Sequence, residues 1–166
     1  MTGNYKQSPR TAALLRAFHR EAARGPVYSW GESSCVTMYK TFSEELGAES
    51  PDYSEYECLS ERKAIAHSIR NGGSAKVHER ILGTVGWQRA EGKTAPGDIV
   101  FFGHPTEKVE IKSTNYRTQY IARPKAEIGA VVMPDKFAYW WTPLGVLPIM
   151  PDWDPDKILF KLRLAV

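Results

Sequence analysis

The spacing of apolar residues changes once along this chain, near residue 95, and that change limits the fold more than any single motif does. Before it, apolar residues recur three and four positions apart. After it, they alternate or run together over strand lengths. A chain patterned this way predicts helices first and an antiparallel sheet second, an α+β fold in two layers. In the first half, Ser8-Pro9 reads as an N-cap followed by proline at the first helical position, and Leu14, Leu15, Phe18 and Ala22 keep helical spacing until Gly25-Pro26. Cys35, Tyr39, Phe42 and Leu46 then fall at i, i+4, i+7 and i+11, one face of a helix that starts at Ser33 or Ser34 and stops at Gly47. Residues 48–58, AESPDYSEYEC, read as an acidic loop dotted with aromatics. A third helix is predicted over 60–70, closed by Asn71-Gly72-Gly73. Ser74 is placed as the cap of a fourth, which turns Val77, Ile81 and Leu82 inward.

In the second half, APGDIVFF (95–102) is a turn followed by an apolar run. KVEIK (108–112) and RTQYIAR (117–123) could pair as a hairpin, and EIGAVVM (127–133) reads as a buried strand. Pro134-Asp135-Lys136 turns into FAYWW (137–141), and PLGVLPI (143–149) continues in extended form with prolines that favour an edge. KILFKLRL (157–164) places Ile158, Phe160, Leu162 and Leu164 on one face. The expectation is one domain over 1–166, with helices packed on five or six antiparallel strands.

Charge and composition exclude several partners. The net charge is +3, with no Lys/Arg block longer than two residues, so nucleic acid is not implied. No stretch approaches the ~18 apolar residues of a membrane span. The start, MTGNYKQSPRTAALLRAF, lacks the apolar core of a secretory leader, which predicts synthesis and retention in the cytoplasm unless an assembly carries the chain elsewhere. Two cysteines are too few for a disulfide framework, and His19, His67, His78 and His104 are dispersed, with no metal-ligand spacing. No metal and no cofactor is expected.

Cys35, in YSWGESSCV (28–36), is the residue with chemical potential. At a helix start the free N–H groups and the dipole favour an anion, and so a thiolate. The competing reading is a small apolar residue packed on an amphipathic face. A nucleophile also needs a base within reach and a group to orient that base.

YSWGESSC opening a helix, then APGDIVFF, then EIGAVVM, resemble the three ordered blocks of the NlpC-type papain-like cell-wall cysteine peptidases. The pattern is most similar to a branch associated with the tails of phages and prophages, and it spans residues 9–164. The resemblance implies a papain-like fold with Cys35 at the nucleophile position and Trp30, Gly31, Ser34 and Asp98 shaping the site. Ser34 stands where the family has Asp, and Glu127 where it has the basic His; no histidine follows His104. Glu127 and His104 are therefore the candidate substitutes for the base. A carboxylate is a poor one, with an unperturbed pKa of ~4.3 against ~6.5 for imidazole, and its charge opposes a thiolate. By its position in PGDIV, Asp98 also suits turn chemistry. His19, His67 and His78 read as surface or partly buried residues. Trp87, Tyr139, Trp140 and Trp141 could form a sugar-stacking surface or a protein interface, with Trp140 facing opposite Tyr139 and Trp141.

Two roles follow from the resemblance. One is a tail-tip or baseplate component of the virion that keeps the peptidase fold but is catalytically degenerate, with other tail proteins as its partners. The other is an active cysteine peptidase or amidase that cleaves peptidoglycan stem peptides.

Overall fold

Ser8 starts the first helix as its pattern predicts: its Oγ accepts the Thr11 N–H at 3.1 Å. The structure is a computed structural model, and it describes residues 7–24, 34–103, 107–112, 118–123, 127–142, 145–149 and 158–165. Helix α1 (Pro9–Arg24) turns Ala13, Leu14, Ala17 and Glu21 inward against α2 (Cys35–Glu45). Glu21 is fully buried, and a buried carboxylate needs partners. It has them in the hydroxyls of Thr37 and Thr41 and the guanidinium of Arg24.

The acidic stretch 48–58 is not all loop. Asp52 Oδ1 accepts the Ser54 N–H at 2.9 Å and starts a single helical turn, α3 (Ser54–Glu57). Helix α4 (Glu61–Arg70) is capped by Ser60, whose Oγ accepts the Lys63 N–H. Helix α5 (Ser74–Gly83) follows the Asn71-Gly72-Gly73 turn. Ser74 lies inside α5 rather than capping it, and the Ala75 N–H instead donates to the Glu127 carboxylate at 2.6 Å.

The main sheet is antiparallel and six-stranded, in the order β1-β8-β2-β5-β6-β7: β1 (Trp87–Arg89), β8 (Ile158–Leu164), β2 (Ile99–Phe102), β5 (Ile128–Val132), β6 (Ala138–Thr142) and β7 (Gly145–Ile149). The predicted hairpin forms as β3 (Glu107–Lys112) and β4 (Thr118–Arg123), but as a separate two-stranded sheet. The sixth strand of the main sheet is instead β1, three residues that pair with the end of β8 and are too short to show alternation.

Alternation sorts the strand residues to two faces. Ile99, Phe101, Val131, Leu162 and Leu164 join the helices in one core, while Val100, Ala130, Val132 and Ala138 form a cluster on the other face. Tyr139 packs with the first group and Trp140 with the second, as their alternation predicts. Ile158 departs from expectation. The register of β8 against β2 shifts between Phe101 and Phe102, so Phe101 pairs with Phe160 and Phe102 with Ile158. That bulge turns Ile158 to the face opposite Phe160 and Leu162. Trp87 belongs to the helical core, 2% exposed, with Nε1–H donating to Ser43 Oγ at 2.9 Å. It is therefore not part of a sugar-stacking surface.

Asp98 directly precedes β2 and is fully buried. Its Oδ2 accepts the Ala95 N–H at 2.8 Å, the turn chemistry expected of it. Both carboxylate oxygens also take a bidentate pair from Arg163, at 2.7 and 2.8 Å, which ties the start of β2 to β8.

Candidate active site

Ser34 is the N-cap of α2, buried, and its N–H donates to Thr37 Oγ1 at 2.9 Å in a capping box. This places Cys35 at the first position of the helix, half-buried, with the amides of Cys35 and Val36 near its sulfur. Its thiol and that of Cys58 are both free. A cleft of about 340 Å³ lies beside this helix start, lined in part by Ser34, Val36, Thr37, Lys40 and Tyr56 but by neither Cys35 nor His78.

The sulfur faces an imidazole. His78 Nε2 lies 3.9 Å from Cys35 Sγ, and His78 Nδ1 lies 2.9 Å from the Tyr53 hydroxyl. Three elements far apart in sequence thus converge: α2 supplies the thiol, α5 the imidazole, and the residue before α3 the phenol. His78 is 6% exposed and ringed by aromatics. Tyr39 meets it in an edge-on arrangement at a centroid distance of 4.8 Å, Tyr53 at 5.5 Å, and Phe101 of β2 stacks with it at 6.1 Å with the rings 22° apart.

Burial decides the charge state. At Cys35 the loss of hydration outweighs the helix-start amides and pushes the thiol up to about 11. Burial alone lowers His78 from 6.5 to about 4. The resting pair is a neutral thiol and a neutral imidazole, and among the described residues no carboxylate hydrogen-bonds the ring to favour imidazolium. Tyr53 is likewise held as a neutral phenol by burial. A phenol both donates and accepts, so it can take the Nδ1–H and leave Nε2 with a lone pair facing the sulfur.

The sequence-based candidates separate sharply. Cys35 and Ser34 stand at the site. Glu127 lies just before β5, and its carboxylate holds the first turn of α5, with Oε2 on Ala75 N–H and both oxygens crowding Gly73. Glu127, expected as a substitute for the base, thus caps the helix that bears His78. Asp98 is a structural anchor. Trp30, Gly31 and His104 lie outside the described residues. Of the remaining histidines, His67 pairs with Glu55 at 2.8 Å. His78, expected at the surface or partly buried, is buried instead: it sits three and four positions before Ile81 and Leu82, on the inward stripe of α5. A polar residue on an apolar face was the signal.

Among the described residues no group of His, Cys, Asp and Glu could hold a metal ion, and no helix is long and apolar enough to cross a membrane. No family model matches the chain, and neither a curated protein nor a solved structure matches it.

Proposed function

We propose that this protein is a cysteine-dependent amide hydrolase of the NlpC-like papain type, acting on peptidoglycan stem peptides. The observation that carries the reading is the contact of Cys35 Sγ with His78 Nε2, itself oriented through Nδ1 by Tyr53. The class of reaction rests on this nucleophile, base and orienting group. The substrate and the papain-like assignment rest on the ordered blocks around Trp30-Gly31, Cys35, Asp98 and Gly129.

With the pair neutral at rest, the thiol transfers its proton to Nε2 as the sulfur bonds to the carbonyl carbon. The proton then passes from His78 to the departing amine while the C–N bond breaks, leaving a thioester on Cys35. A water molecule, deprotonated by the same Nε2, releases the acid and restores the thiol. The helix-start N–H of Cys35 can donate to the carbonyl oxygen as it gains charge.

The test compares wild type, Cys35→Ala and His78→Ala on purified peptidoglycan. Wild type releases stem peptides, Cys35→Ala releases none, and His78→Ala is slower by ~10²–10⁴-fold, the usual worth of a general base. Equal release by all three overturns the reading.

A second reading, a catalytically silent tail-tip or baseplate component of a virion, is favoured by the same burial that keeps the Cys35–His78 pair uncharged. It requires null release by wild type and contacts with other tail proteins burying more than ~1,000 Å².

A further inference from the structure

The Tyr39 hydroxyl is the one buried side-chain N or O atom among the described residues that has no hydrogen-bond partner. Native proteins rarely leave such a group unpaired, and one that persists next to reactive groups calls for a functional account. Tyr39 is fully buried, one turn after Cys35 on the same face of α2. Helical side chains lean toward the N-terminus, so its ring extends back toward the nucleophile. Its ring packs edge-on with the imidazole of His78, the centroids 4.8 Å apart. The oxygen itself is accommodated by a missing side chain: a Cβ on Gly129 would come within 1.6 Å of it. The unpaired hydroxyl thus belongs to a ring that packs against the base and stands one helical turn from the nucleophile. Burial raises its pKa well above 10.0, so it remains an O–H donor.

We propose that Tyr39 is a catalytic residue, whose hydroxyl donates a hydrogen bond to the oxygen of the tetrahedral adduct formed on Cys35. This rests on the hydrolase reading above and deepens it. When the sulfur bonds to the carbonyl carbon, the thiol proton goes to His78 Nε2 and the C=O π pair moves onto oxygen. That oxygen needs donors placed in advance in a dry site, and the Tyr39 O–H joins the Cys35 amide in supplying them. The hydroxyl keeps its own proton throughout. The groups recognised are carbonyl compounds able to add a thiol: amides, esters and aldehydes.

A peptide aldehyde separates this role from packing, because its hemithioacetal carries the same oxygen, whereas alkylation by iodoacetamide forms no such oxyanion. Tyr39→Phe keeps the ring and removes only the hydroxyl. The expected result is an aldehyde affinity lower by ~10²-fold, the scale set by loss of one such donor, with Cys35 alkylation within ~2-fold of wild type and a thermal midpoint no lower. Equal aldehyde affinity in wild type and Tyr39→Phe overturns the role of Tyr39 and leaves the hydrolase reading standing. Failure of wild type to form any adduct that Cys35→Ala abolishes overturns both.

Discussion

Cys35 shows two residue-scale effects in competition. A helix start stabilises a nearby anion by ~0.3–1 kcal/mol at exposed sites and ~2 kcal/mol in partly buried ones. Loss of hydration can move a buried group by several pKa units, each worth about 1.4 kcal/mol, and at Cys35 it wins. His78, with phenyl and phenol rings around it and no carboxylate among the described residues bonded to it, does not supply the cation that would reverse the outcome. Alkylation of Cys35 by iodoacetamide should therefore be slow at neutral pH and climb steadily toward about 11. Mass spectrometry of the labelled peptide against pH checks this. A rate already level between pH 6 and 8 would reveal a thiolate–imidazolium pair instead. This balance was not legible in sequence, where Cys35 showed only its helix start; the enclosing rings come from α2, β2 and the segment before α3.

At the scale of elements, the position of His78 is set by the anchoring of α5. Glu127 arrives from the strand half, 52 residues beyond Ala75, and accepts that residue's N–H where the helix dipole also favours a negative charge. Gly73 permits the approach: its φ is +107°, and a Cβ there would lie 2.7 Å from Glu127 Oε1. Glu127→Ala should destabilise the protein by about 1 kcal/mol, the common cost of a lost cap, and should slow Cys35-dependent hydrolysis by loosening α5. Glu127→Gln, which still accepts a hydrogen bond, should recover most of both. Thermal melts and peptide release measured side by side test it; a Gln variant as inactive as Ala would return Glu127 to the role of base. Helical periodicity locates α5 to within a residue but points to the adjacent Ser74 as its cap, because a partner in another layer leaves no local mark. For the same reason β1 and the bulge in β8 have no local signature: both are defined by the neighbouring strand.

For the whole molecule, the Cys35–His78 pair predicts how stability varies with pH. His78 has a folded pKa of about 4, below its ordinary 6.5, so its contribution is present above 6.5 and is lost as pH falls through 4. Cys35 is raised from 9.0 to about 11, so its contribution is present below 9.0 and is lost as pH rises through 11. Glu45, Glu55 and Glu79, held below their usual 4.5 by neighbouring Arg or His partners, lose theirs only at lower pH. The thermal midpoint should be level between pH 6.5 and 9 and should begin to fall below 6.5, before those carboxylates protonate. In His78→Gln that first acid limb should disappear; its persistence would place the titrating group elsewhere.

By itself, the sequence determined the division into a helical and a strand half, the ends of most helices, and Cys35 as the residue with nucleophilic potential. Those features depend on spacing and capping within a few positions, so local pattern carries them. Only the tertiary structure decided that His78 rather than Glu127 meets the sulfur, that Tyr53 orients it, and that Tyr39 is left with an unpaired hydroxyl. These groups come from positions 35, 39, 53 and 78, and packing against Phe101 and Gly129 of the sheet is what encloses them. Burial then sets their charge, which no stretch of sequence contains.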